Sequence, residues 1–552
     1  MEFLEQKVKS IPRNLRICLC SGLLFGFLTH LFMLTNKLSN WDDLSNFNGY
    51  GVGGELGRWV LRFVHPLATK LSNPWVNGSL AILLISVACT LIYAILGLRT
   101  RVSAVLLPMI FMTFPSLAST MTFMFTVDLY AIGLLLAVLA AYLAIRCRYG
   151  FIWGMIPLIL SLGIYQAYVC FTITLLLLRW IGDEIDRSAA NEPFSIPQTV
   201  KKAISYAVML GAGTGLYIVI AHLRYPLLGS ETHNGVGEMG QINPLRVPVY
   251  CAKALLRVLK YFTGGYSFQT SFVAAVNVLA VLLVIVLFLF VAKRAALFRN
   301  RARALWTVLL ALLFPIAISF IDIMSPDANF SMLMLYQYAF VYVLLLCLGE
   351  RWENREKTED YGRERELRTE KQQIGTGAQG ECVSASETKT ARPGQSISGR
   401  SLLPLFGILL ILASSYGDYV VTGEAYFRMD LTYERVYGYF DRMIEKVEAQ
   451  EGYSPEDSIY ILGTFDENTI NSYALEEERF YDFSGVALEY GLITPGTREN
   501  FLRIYFGKPV ENSMSEEGEA IRASEEYRVM TDYPADGSIA RIGDAWVVRI
   551  SE

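Results

Sequence analysis

Residues 150–181 read GFIWGMIPLILSLGIYQAYVCFTITLLLLRWI, and the folding of this run decides on which side of a membrane every later loop lies. About 20 apolar residues cross a bilayer, so the run is too long for one ordinary crossing. Gly163-Ile164-Tyr165-Gln166 interrupts it at the middle. Arg146 and Arg148 precede it, and Arg179, Arg187, Lys201 and Lys202 lie at and beyond its end. Short basic loops stay on the cytoplasmic side. The run therefore reads as two short helices that meet at Tyr165-Gln166.

Working outward, apolar segments of spanning length fall at 16–36, 76–98, 102–123, 128–146, 203–223, 271–292, 304–324, 331–348 and 401–421. With the split run this predicts about eleven crossings. If the N-terminus is inside, the basic loops at 7–16, 99–101, 146–148, 179–202, 293–303 and 350–371 all become cytoplasmic. The loops at 39–75, 124–128, 224–270 and 325–330, with everything after 422, then face outward. A single crossing at 150–181 would instead put Lys293, Arg294, Arg299, Arg301 and Arg303 outside.

Composition agrees with a polytopic α-helical membrane protein. The chain is 53% hydrophobic with a mean hydropathy of +0.35, against about 45–50% apolar for soluble proteins. The formal net charge of −4 and an acidic C-terminal part argue against a nucleic-acid partner. No cysteine follows Cys382, which excludes a disulfide framework in the C-terminal part. Cys18 and Cys20 form only C-x-C and lack the partners of a zinc site. Lys7, Lys9, Arg13 and Arg16 precede the apolar run at 17–34, and no clean small-x-small site follows, so an uncleaved first helix is expected.

Four regions result. Residues 1–349 form a multi-spanning domain, 350–400 a charged linker expected to be disordered and cytoplasmic, 401–423 the last crossing, and 424–552 a small extracytoplasmic α/β domain. In the last, 426–450 carries helical periodicity, 458–463 reads as a buried strand, and 538–550 as a terminal hairpin. Gly375, Gly377 and Gly380 match G-x-G-x-x-G without the flanking strand and helix that a dinucleotide site needs.

Just past the first helix stand Asn40-Trp41-Asp42-Asp43, then a Gly-rich stretch and Arg58-Trp59. A carboxylate pair at the outer mouth of a membrane protein sits where lipid headgroups meet water. Glycosyl transfer from a lipid phosphate needs a base for the acceptor hydroxyl, donors for the leaving phosphate, and apolar walls for the lipid chain. Asp42 or Asp43 suits the base, Arg58 a phosphate clamp, and Glu55, one helical turn earlier, the group that orients Arg58. The plain alternative is that both aspartates cap a helix and Arg58 snorkels. Asp128 stands at the outer start of a crossing, as a functional carboxylate or an N-cap. Tyr165 and Gln166, at the apex of the split run, offer a sugar an aromatic face and an amide, or simply pack helices. The loop at 224–250, with Glu231 and His233, reads as a polar lid over the site or, equally, as a long solvated loop. Lys253, Arg257, Lys260, Tyr261, Phe262 and Tyr266 suit an interfacial helix that touches phosphate headgroups. The four histidines show no metal-site spacing, and the chemistry calls for no cofactor.

Four stretches together carry a family likeness: Asp42-Asp43 leading to Gly57-Arg58-Trp59, Val127-Asp128-Leu129-Tyr130, the segment from Ser161 through Tyr165-Gln166 to Tyr168, and Ala425 through Arg428 to Asp430 with its following helix. In their order along the chain they resemble the Gtr-type (type II) bacterial glucosyltransferases, which modify O-antigens and similar surface polymers. The resemblance implies an integral membrane enzyme of GT-C type in the bacterial cytoplasmic membrane. It implies undecaprenyl-phosphate glucose as donor, a surface glycopolymer as acceptor, and a donor-making glycosyltransferase and a flippase as partners. It places the catalytic acid at Asp42 or Asp43, with Asp128 and Arg58 in the site. The charged linker at 350–400 departs from the family pattern. Two other readings compete: a transporter or flippase for lipid-linked saccharides, and a non-catalytic envelope assembly protein. Nearly charge-free spans, with Asp322 as a partial exception, weigh against a transporter.

Overall fold

A computed structural model describes residues 10–38, 40–47, 57–64, 71–224, 243–325, 331–353, 402–466, 477–486 and 489–551. Glu55, Glu231, His233 and the linker from 354 onward lie outside the described residues. The first helix, α1 (Arg13–Thr35), follows Pro12 and ends where Asn36 N–H bonds back to Phe32 O. A single short turn, α2 (Trp41–Ser45), carries both aspartates. Helix α3 (Pro74–Leu96) opens with Asn73 as cap and Pro74 in the first turn, where a missing N–H costs nothing. Helix α4 (Arg101–Thr113) is capped by Thr100. It breaks at Phe114, before Pro115, and continues as α5 (Pro115–Met121) after a 51° bend. A residue before proline is pushed out of the helical region, which accounts for the break.

After α6 (Val127–Arg146), the long apolar run divides as its central Gly-Ile-Tyr-Gln suggests. A turn at Gly150–Trp153 leads to α7 (Met155–Leu162), a 3₁₀ turn spans Gln166–Tyr168, and α8 (Val169–Ala189) follows. The remaining membrane-domain helices are α9 (Ile196–Arg224), α10 (Val247–Phe262), α11 (Ser271–Arg294), α12 (Arg301–Ile318) and α13 (Met332–Glu353). Among the described residues, 8 helices are long and apolar enough to cross a membrane, or up to 9 with the bent α4/α5 pair. The expectation of about eleven crossings also counted α7, which is short, and α8, whose second half carries Arg179, Asp183, Glu184, Asp186 and Arg187.

Contacts sort the loops into two faces. On one, Asp43 meets Phe125, Val60 meets Gly163, and Arg257 meets Asp322. These are the loops that alternation assigns to a common side. On the other, Arg99 N–H donates to Glu350 Oε1 (2.6 Å), Arg179 to Ile95 O (3.2 Å), and Arg351 pairs with Asp186 (3.1 Å). There Arg303 and Glu184 are both buried, 3.3 Å apart.

The sequence reading treats 401–421 and 426–450 as separate pieces. The structure makes them one helix, α14 (Leu402–Glu448), of 47 residues. No proline lies inside it after Pro404, and its buried side chains run unbroken from membrane spacing into Tyr433, Val436, Phe440, Met443 and Val447. This upper part packs on α15 (Thr497–Phe506), with Tyr433 and Phe501 rings 5.5 Å apart. Beside it, β1 (Ile459–Leu462), β2 (Ile539–Ile542) and β3 (Ala545–Arg549) form a sheet of order β1-β3-β2. β1 runs parallel to β3, and β2–β3 is the expected hairpin. Fully buried Arg498 ties this unit together, donating to Ile461 O (2.7 Å) and Gly463 O (3.0 Å) and pairing with Glu499 (3.2 Å).

Candidate functional site

Asn40, not an aspartate, caps α2, because its Oδ1 accepts from Asp43 N–H (2.9 Å). Helical rotation then turns the two carboxylates to different sides. Asp43 is fully buried. Lys37 Nζ meets its Oδ2 at 2.5 Å, while Ser72 Oγ (2.5 Å) and Phe125 N–H (2.8 Å) donate to its Oδ1. Asp42 is exposed in the first turn of the same helix.

Arg58 is half-buried, and its Nη1 donates to the Tyr130 hydroxyl (2.8 Å). The guanidinium lies 5.1 Å from the Tyr165 ring centre and 5.8 Å from that of Tyr130. Those rings are stacked on each other at 4.8 Å. Burial opposes the Arg58 charge. The phenol oxygens of Tyr130, Tyr165 and Tyr217 and the Asp42 carboxylate favour it by more, so it is held above its ordinary value. Asp42 and Arg58 thus share one electrostatic neighbourhood.

The loop that carries Arg58 is set by the apex of the split run. Val60 N–H donates to Gly163 O (2.9 Å), and a Cβ at Gly163 would come within 2.4 Å of Val60. Gln166 Nε2 donates to Tyr217 OH (2.9 Å), which donates to Gly57 O (3.3 Å). The Arg58 Nε, Trp59 Nε1 and Tyr165 hydroxyl are buried without a hydrogen-bond partner among the described residues. Most buried polar groups are paired, so unused donors gathered at one spot are suited to a ligand's oxygens.

The structure therefore brings Arg58, Tyr165 and Gln166 together, with Asp42 near enough to favour the Arg58 charge. Asp128 is buried in the first turn of α6, where Thr126 holds the cap position. Its Oδ1 has no hydrogen-bond partner, and none joins it to Arg58 among the described residues. Lys260 lies on α10, with its ammonium 4.6 Å from the Tyr266 ring centre, and no hydrogen bond or ion pair joins it to Arg58 among the described residues. No group of three or more His, Cys, Asp or Glu side chains suited to a metal ion occurs among the described residues.

Sequence reading missed Lys37, Ser72, Tyr130 and Tyr217. Tyr130 stood in a quoted stretch two residues from Asp128, and its aromatic ring was the available signal. Lys37 and Ser72 gave none, since only folding brings them to Asp43.

The C-terminal part also touches this site. Ser119 Oγ donates to Ser484 O (2.7 Å), and Met332 N–H donates to Ser484 Oγ (3.1 Å). Tyr505 OH donates to Lys37 O (3.1 Å), and Gly491 packs on the Trp41 ring.

No curated protein and no solved structure matches the chain. The family model described as Glucosyl transferase GtrII matches residues 31–346, a span that runs from α1 to α13 and takes in Asp42, Arg58, Asp128, Tyr165 and Gln166. That is more than half of the 552 residues, and the chain belongs to this glucosyl transferase family.

Proposed function

We propose that the protein moves a hexosyl group, glucose by its family, from a polyprenyl-phosphate sugar to a cell-surface glycopolymer at the site face of a bacterial cytoplasmic membrane. One observation carries this reading: a guanidinium, a stacked tyrosine pair and an exposed carboxylate occupy one neighbourhood at the end of the helix bundle. The stacked tyrosine pair holds the Arg58 guanidinium in place at the wall of the site. Arg58 takes the phosphate, whose charge grows as the bond from the anomeric carbon to the phosphate oxygen breaks. The acceptor hydroxyl oxygen attacks that carbon, its proton passes to Asp42, and polyprenyl phosphate leaves with the bonding electrons. Asp43, ion-paired and buried, holds α2 in place. Asp128 is assigned to the site wall beside Tyr130. The face that bears the site is the outer one, with the N-terminus inside and the C-terminal domain outside.

The test offers undecaprenyl-phosphate glucose and cell-envelope polymer to purified protein in lipid. Asp42→Asn is expected to lower transfer by about 10²-fold or more while donor binding persists. Asp128→Asn reports on the second carboxylate. Wild-type protein that binds the donor and leaves it intact would sink the transferase reading and favour a transporter.

A further inference from the structure

His30 lies in α1 and is fully buried, and ionisable groups at membrane depth are rare unless they serve a function. Its Nε2 lies 2.9 Å from Met112 O, and its Nδ1 2.8 Å from the Tyr426 hydroxyl. A carbonyl can only accept, so Nε2 carries the proton, and Nδ1 of the neutral ring accepts from Tyr426. One imidazole joins three helices, α1, α4 and α14.

The Met112 carbonyl is available because α4 breaks just beyond it. The last four carbonyls of a helix lack an intrahelical donor, and Pro115 has no N–H for Phe111 O. Backbone oxygens at membrane depth must still be satisfied, and neighbouring side chains do this at a proline break. Phe111 O accepts from the Tyr336 hydroxyl of α13 (2.9 Å), and Met112 O accepts from His30. Proline permits a bend without choosing its angle. Side chains from α1 and α13 fix the 51° between α4 and α5.

The bend aims the carboxylate half of the site. Helix α5 has 7 residues, about 10 Å, and ends at Thr122. Asn40 Nδ2 donates to Thr122 Oγ1 (3.3 Å), and Phe125 N–H, just beyond, donates to Asp43 Oδ1 (2.8 Å). Helix α2, and Asp42 with it, is therefore fastened at two points to the end of α5. Arg58 is fastened elsewhere, through Val60 to Gly163 and through Gly57 to Tyr217.

We propose that His30 is a positioning residue that sets the α4/α5 bend and so the place of Asp42 relative to the donor. It touches no substrate and acts through Met112 O, α5 and the Asn40 cap. Its role in transfer rests on the function proposed above, whereas the mechanical link does not.

The experiment follows the full chain in lipid by two readouts, transfer kinetics and amide hydrogen exchange. His30→Leu removes both bonds, His30→Gln keeps a donor for Met112 O, and Thr122→Val cuts the link to Asn40. His30→Leu is expected to lower kcat about tenfold or more with donor KM within about twofold of wild type, and His30→Gln to restore most of the loss. Exchange should quicken at Asp43 and Leu44, whose N–H groups bond to Asn40, and stay unchanged at Val60. His30→Leu/Thr122→Val should be little worse than the stronger single variant, because both lie on one route. Wild-type kcat and exchange in His30→Leu would overturn the proposal. Additive losses in the double variant would too, as would equal quickening at Val60, which marks general loosening. If His30→Leu does not fold, Tyr426→Phe loses one hydroxyl, keeps its ring, and should show the same pattern at smaller size. Wild-type protein that transfers nothing sinks the proposed function and leaves the exchange result to decide the link.

Discussion

Asp42 and Asp43 have the same covalent structure and opposite surroundings. The Asn40 cap starts the helix, each further residue turns by about 100°, and one carboxylate goes inward while its neighbour meets water. Replacing Asp43 by Ala strands the Lys37 ammonium, the Ser72 hydroxyl and the Phe125 N–H. We predict a loss of about 2–4 kcal/mol by thermal or denaturant unfolding, whereas Asp42→Ala should leave stability unchanged. Arg58→Lys keeps the charge but loses the planar fork that lies against two rings and reaches the Tyr130 hydroxyl. The donor KM should rise about tenfold, and an unchanged KM would remove Arg58 from the phosphate. At this scale the sequence displayed the pair and the arginine. It could not say which carboxylate is buried, because the partners of Asp43 lie 6, 29 and 82 residues away.

Among elements, the split of 150–181 was legible because glycine and a polar pair stand at the centre of an overlong apolar run, with cations at both flanks. The α4/α5 break was equally present in Phe114-Pro115, yet an apolar run of ordinary spanning length hid it. The continuity of α14 was hidden for another reason. Its polarity changes where it leaves the apolar span, and a change of solvent resembles a change of element. Gly163 tests whether the apex sets the Arg58 loop. Gly163→Ala puts a methyl 2.4 Å from Val60 Cγ2, so Arg58 should shift and transfer should fall about tenfold or more while helix content by circular dichroism stays constant. On the opposite face, Arg303→Met leaves buried Glu184 with only its 3.8 Å contact to exposed Arg187. A stability loss of about 1–3 kcal/mol is expected, largely restored by adding Glu184→Gln.

For the whole molecule, the position of the C-terminal part over the site follows from contacts far apart in sequence, and no local pattern announced it. Gly485 is the tightest of these, with φ +84° and a would-be Cβ 1.9 Å from Thr122 Oγ1 and 3.2 Å from Asn40 Nδ2. Gly485→Val adds both backbone strain and collision, and should loosen this docking. Limited proteolysis near 477–486 should quicken, and transfer should fall even though no proposed reacting group has changed. Unaltered proteolysis and transfer would show that the docking is incidental.

Helix α14 carries a further consequence. Its 47 residues form a strut of about 70 Å with no hinge between its lipid-embedded part and the part that packs on α15. Hydrophobic mismatch on such a strut has nowhere to be absorbed locally. A thicker or thinner bilayer must tilt or slide it, and the sheet and α15 travel with it relative to Lys37, Asn40 and Trp41. Acyl-chain length in reconstituted membranes therefore acts as a vertical adjustment of the roof above the site, and transfer should peak at one bilayer thickness and decline on either side.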